Sequence, residues 1–87
     1  MKMIAKPIDV IAGFIILEKP RPYRIRYKDE NGYENIIKVE KVLDIEVSNI
    51  PGPRSYVYKC QSTKGMNQYR FELLYKPDTH SWLLYKI

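Results

Sequence analysis

Arg21-Pro22-Tyr23-Arg24-Ile25-Arg26-Tyr27-Lys28, then Asp29-Glu30-Asn31-Gly32, then Tyr33-Glu34-Asn35-Ile36-Ile37-Lys38-Val39-Glu40 reads as strand, turn and returning strand. Tyr23, Ile25 and Tyr27 alternate with Arg24, Arg26 and Lys28, and Ile37 and Val39 alternate with Lys38 and Glu40. Burying one face of such a hairpin requires the two apolar sets to coincide, because a one-residue slip exchanges the faces. A two-residue Asn31-Gly32 turn sets Ile25 opposite Lys38 and fails that test. A three-residue loop, Glu30-Asn31-Gly32 with Gly32 in the left-handed position of a bulge, pairs Ile25 with Ile37, Tyr23 with Val39 and Lys28 with Glu34. That register is predicted, with both tyrosines inside.

Upstream, residues 1–7 read as a loose start. Ile8 to Leu17 carries apolar residues at both parities, which suits a strand covered on both faces, and Gly13 within it signals a bulge or a close approach. The run from Val10 is too short to span a bilayer and has no small-residue cleavage site after it, so no signal peptide or membrane span is expected. Pro20 and Pro22 force an extended entry into the hairpin.

Downstream, Val39, Leu43, Ile45 and Val47 keep the odd positions apolar, reading as one strand bent near Lys41-Val42 or as two strands across a kink. Asn49-Ile50-Pro51-Gly52-Pro53 ends it. The last third is a meander. Aligning Tyr56, Tyr58 and Cys60 with Tyr69, Phe71, Leu73 and Tyr75 pairs Cys60 with Phe71 and Tyr58 with Leu73, and closes on a type II′ turn at Gly65-Met66. Lys59 then faces Glu72, and Val57 faces Leu74, on the outer side. A turn at Pro77-Asp78-Thr79-His80 aligns Tyr75 with Trp82 and Leu73 with Leu84.

The expected fold is therefore all-β, a single domain over 1–87, with six or seven mostly antiparallel strands in a meander that form a strongly coiled sheet or a small SH3-like barrel. Pro22 to Gly32, Tyr58-Lys59-Cys60-Gln61-Ser62 and Trp82-Leu83-Leu84-Tyr85 together resemble those of small bacterial all-β proteins of unknown function. The resemblance implies a bacterial cytoplasmic origin and brings no activity, cofactor or catalytic residue.

Function is bounded more by exclusion. Cys60 cannot form an internal disulfide, and Cys60 with His80 falls short of the usual four zinc ligands. The reading is a reducing, cytoplasmic setting with no cofactor, no metal and no small-molecule substrate. His80 is expected at a turn tip and Cys60 in the core, so no nucleophile stands beside a base. Asp44 and Glu46 share a strand face without a pocket, and the four glycines are isolated, so no enzyme is expected.

Charge is uneven in a chain of net charge +5: residues 1–28 hold seven Lys or Arg against two acids, residues 29–47 two against six, residues 48–87 six against two. Period two sends Arg24, Arg26 and Lys28 to the face opposite Ile25, where Lys38 extends a basic ridge, with Lys59 and Arg70 added if the meander continues on the same face. Such a ridge suits phosphate contact, whereas a stacking platform needs aromatics on that same face. Val57, Leu74, Leu83 and Tyr85 form an apolar patch on the outer side of the meander, to be covered by Ile8 to Leu17 or to serve as a protein interface or homodimer contact. The expectation is a non-enzymatic binding or adaptor module for a protein or nucleic-acid-associated assembly; the alternative is direct nucleic-acid binding through the ridge.

Overall fold

The computed structural model describes residues 2–14 and 19–87. Eight strands run β1 (Met3–Pro7), β2 (Asp9–Gly13), β3 (Arg21–Lys28), β4 (Glu34–Lys38), β5 (Lys41–Val47), β6 (Tyr56–Lys64), β7 (Asn67–Lys76) and β8 (Ser81–Lys86). They form a five-stranded sheet, β1-β8-β7-β6-β5, and a three-stranded sheet, β2-β3-β4, with every pair antiparallel. The all-β meander is as expected. The count of six or seven and the barrel are corrected, because two stretches bend from one sheet into the other and the sheets do not close into a barrel. At one corner β1 passes into β2 at Ile8, whose N–H reaches the Trp82 carbonyl (3.3 Å); at the other, Val39 N–H bonds to Tyr23 and Glu40 N–H to Gln61 (2.9 and 3.1 Å).

The hairpin has the predicted register. Ile25 pairs with Ile37 and Lys28 with Glu34; Asp29 N–H bonds to the Tyr33 carbonyl, leaving Glu30-Asn31-Gly32 as the loop, with Gly32 at φ 80°. The second meander hairpin also closes as read, with Lys64 paired to Asn67 around Gly65 (φ 62°), Cys60 to Phe71 and Tyr58 to Leu73. Tyr75 meets Trp82 and Leu73 meets Leu84. The facing surfaces bury Ile25, Ile37, Tyr58, Phe71, Leu73 and Leu84, all at 7% exposure or less. Cys60 lies in the same core.

Four placements differ from the sequence reading. Residues 1–7 are not loose: β1 lies along β8, and Lys2 and Ile87 exchange main-chain bonds at 2.8 and 3.0 Å. The strand expected over Ile8 to Leu17 is seen as Asp9–Gly13, with residues 15–17 outside the described residues; it is covered on one face only, since Val10 packs on the core while Ile11 is 64% exposed. Tyr23 keeps its main-chain bond to Val39 but turns outward, because Ile11 pairs with Arg24 and Ala12 with Pro22, so Tyr23 is the extra residue of a bulge. Its ring lies over Gly13, where a Cβ would come within 2.8 Å of it, so the close approach read from Gly13 is present. Finally, the odd apolar positions of β5 are not buried: a second bulge between Val42 and Asp44 breaks the parity, and Leu43, Ile45 and Val47 lie 38–57% exposed on an edge strand.

Candidate binding surface

The hairpin's polar side forms the outer face of the three-stranded sheet. Arg24, Arg26, Lys28 and Lys38 are all exposed. Across β3 and β2, Arg26 faces Asp9 and Arg24 faces Ile11; across β3 and β4, Arg26 faces Ile36, Arg24 faces Lys38 and Lys28 faces Glu34. The cations are therefore not equivalent. Arg26 donates through Nη2 to Asp9 Oδ2 at 2.7 Å and lies 3.5 Å from Glu34 Oε1. The hydrogen bond and charge of Asp9, followed by the charge of Glu34, raise its pKa further.

Arg24 and Lys38 stand directly opposite each other, and neither has a carboxylate within ion-pairing distance among the described residues. The bonds that close the hairpin at Tyr33 and Val39 assign this pair to the non-hydrogen-bonded class, in which side chains lie closest. Like charges so placed are destabilising. Ile11 and Ile36, 64% and 62% exposed, flank the pair. Tyr23, half-exposed at one end, lies under the Arg21 guanidinium at 4.7 Å.

Lys59 and Arg70 do not join this face. They occupy the outer side of the five-stranded sheet, where Lys59 Nζ bonds to Glu46 Oε1 at 3.1 Å and faces Glu72, and Arg70 faces Gln61. The Glu46 hydrogen bond and charge raise the lysine pKa. The condition on which Lys59 and Arg70 were to join the ridge, a meander continuing on the same face, is not met, and the ridge keeps Arg24, Arg26, Lys28 and Lys38.

The apolar patch is corrected at its centre. Leu74 is 2% exposed, whereas Val57, Leu83 and Tyr85 are half-buried. Of the stretch expected to cover it, β2 (Asp9–Gly13) does not, since it belongs to the other sheet, and residues 15–17 lie outside the described residues. The Ser48–Pro51 loop lies beside it instead, lining one groove with Val57, Glu72 and Tyr85. The loop is anchored by a bond from Ser48 N–H to the Ser55 carbonyl at 2.9 Å.

The residues singled out for chemistry are dispersed. Cys60 is 1% exposed, and burial pushes its thiol up to about 12. His80 sits in the exposed β7–β8 turn at φ 52°, with Nδ1 3.2 Å from the Tyr75 hydroxyl. Asp44 accepts the Ile45 N–H at 2.9 Å, while Glu46 holds Lys59. Among the described residues, no three His, Cys, Asp or Glu gather in a group able to hold a metal ion, and no helix is long and apolar enough to cross a membrane.

Ile11 and Ile36 were not singled out from the sequence, yet the signal was there. With Ile37 inside, the adjacent Ile36 has to point out, and Ile11 alternates with Val10 and Ala12 in the same way. Comparison with known proteins finds no matching family model, no matching curated protein and no matching solved structure.

Proposed function

We propose that this chain is a non-enzymatic binding module that docks, in a cytoplasmic setting, onto a protein partner through the outer face of the three-stranded sheet. The Arg24–Lys38 pair carries the reading: two cations directly opposed, without a carboxylate partner among the described residues, between two exposed isoleucines. Fold stability alone favours an acid at one of those positions. A partner carboxylate seated between them removes the repulsion, and Ile11 and Ile36 add apolar contact around it. Arginine beside apolar side chains is the composition that concentrates binding energy at protein interfaces.

The second reading is direct contact with nucleic-acid phosphates through Arg24, Lys28 and Lys38, supported by the chain's net charge of +5. Asp9 and Glu34 on the same face weigh against it, because a phosphate backbone would meet both.

Capture from a nuclease-treated lysate separates the two when wild type is compared with an Arg24→Glu, Ile11→Ser variant, whose changes lie on β3 and β2. A protein retained by wild type and lost from the folded variant supports the first reading. Equal retention by both overturns it. Titration with single- and double-stranded DNA and RNA at two salt concentrations tests the second: affinity falling steeply with salt supports phosphate contact, and no binding at low salt removes it.

A further inference from the structure

Among the described residues each sheet has two edge strands, and two of the four, β1 and β5, carry irregularities of their own that discourage further pairing. In β1 the register shifts between Met3 and Lys6, Ala5 sits at φ 45°, and Pro7 has no N–H. In β5 a bulge lies between Val42 and Asp44, and Asp44 Oδ1 caps the Ile45 N–H at 2.9 Å. The third, β2, keeps unbroken register with β3 only over Asp9–Ile11, because Tyr23 of β3 is the extra residue of a bulge before Ala12 pairs with Pro22. The fourth, β4, runs in unbroken register with β3, without a bulge or a proline.

Main-chain parity shows what β4 offers. Asp29 N–H bonds to Tyr33, and Val39 N–H bonds to Tyr23, both at 2.9 Å. In an antiparallel pair the bonded positions alternate, so Asn35 and Ile37 face β3 while the N–H and C=O groups of Glu34, Ile36 and Lys38 point to the free edge. One of these groups is partly used: Ser62 Oγ donates to the Lys38 carbonyl at 2.6 Å, leaving its second lone pair.

The side chains at those three positions are self-complementary. In an antiparallel pairing of β4 with a second β4 about a two-fold axis at Ile36, Ile36 meets Ile36, and Glu34 of each copy meets Lys38 of the other. We propose that two copies of this chain join β4 to β4 in this register, fusing their three-stranded sheets into one six-stranded sheet. The Ile36 residues exchange both main-chain bonds, and each Lys38 N–H reaches the opposite Glu34 carbonyl. Ile36, 62% exposed in the single chain, gains an apolar neighbour. One short strand pair is a small interface, so the association depends on concentration. This inference does not rest on the proposed function. In the dimer the two outer faces become continuous, and each Lys38 gains Glu34 of the other copy as an acidic neighbour.

Sedimentation equilibrium up to about 1 mM tests it. The wild type is expected to show a monomer–dimer equilibrium. Glu34→Lys sets lysine against Lys38 of the second copy at both ends and weakens the dimer by about tenfold or more. The double variant Glu34→Lys, Lys38→Glu restores the pairing with its charges exchanged and returns affinity to near the wild-type value. Circular dichroism establishes that each variant is folded, and slowed amide exchange at Ile36 with rising concentration places the contact at this edge. A wild type that stays monomeric to that concentration, a dimer indifferent to Glu34→Lys, or a folded double variant that does not recover each overturns the proposal.

Discussion

The Tyr58 hydroxyl donates to the Pro20 carbonyl at 2.6 Å, linking the centre of the five-stranded sheet to the segment that enters the three-stranded one. Both residues are buried, and burial, with smaller effects from neighbouring ionisable groups, raises the phenol's pKa above its ordinary value. Tyr58→Phe keeps the ring and strands the carbonyl. A buried acceptor left unmatched costs about 1–3 kcal/mol. In a domain of this size each kcal/mol lowers Tm by about 4–8 °C. Thermal and urea unfolding of the variant check this; an unchanged midpoint would mean that the bond contributes nothing.

Leu74 and Ile36 separate burial from exposure on outward-facing positions. Leu74 is 2% exposed and Ile36 62% exposed, although both lie on the outer side of their sheets. Leu74→Glu is expected to abolish folding, because it buries a carboxylate without a partner. Ile36→Glu is expected to fold with a stability change within about 0.5 kcal/mol. Far-UV circular dichroism and urea midpoints of the two variants decide; a stably folded Leu74→Glu would mean that this position opens to solvent.

Asp29 organises the hairpin loop. The Asn35 side-chain amide donates to its carboxylate at 3.2 Å, and the N–H groups of Tyr33 and Asn31 at 3.0 and 2.9 Å. Together they hold its pKa below the ordinary aspartate value of 3.8, with Asn35 the largest contributor. The folded value lies below the unfolded one, so this stabilisation is fully present above about pH 4 and is lost as pH falls through the folded value. Asp29→Ala is therefore expected to lower stability at pH 7, with the gap to wild type narrowing below pH 4. Urea midpoints for both proteins across that range check it; a constant gap would show that the charge is not what the loop uses.

Cys60 is expected to be inert in the native state. At 1% exposure, and with burial pushing the thiol up to about 12, almost no thiolate is available at neutral pH. Labelling by a thiol reagent at pH 7 should follow unfolding, rising across the urea transition. Rapid stoichiometric labelling without denaturant contradicts this placement.

The main hairpin and the two closing ones were legible because each joins a turn with a definite backbone demand to strands with one clear apolar face. Gly32 and Gly65 supply positive φ, and Ile25, Ile37, Tyr58 and Leu73 accept only one register. Tyr23 was misplaced because the bulge that turns it out arises from β2, a partner that nothing in the hairpin's own sequence specifies. Leu43, Ile45 and Val47 misled for a related reason, since alternation shows which residues share a face but not whether anything covers it. The basic ridge was half legible: Arg24, Arg26, Lys28 and Lys38 share a face as read, while Lys59 and Arg70 lie on the other sheet.

By itself, then, the sequence determined the strand pairings closed by short turns, because period-two patterning and turn chemistry act over a few residues. The tertiary structure alone decided where β1 passes into β2 and β4 into β5, that β1 lies along β8, and that the Ser48–Pro51 loop lies beside the apolar patch. It also set Ile11 beside the Arg24–Lys38 pair and left β4 as the regular open edge. Those outcomes depend on contacts between distant segments, whose energies come from packing and coverage that no local pattern records.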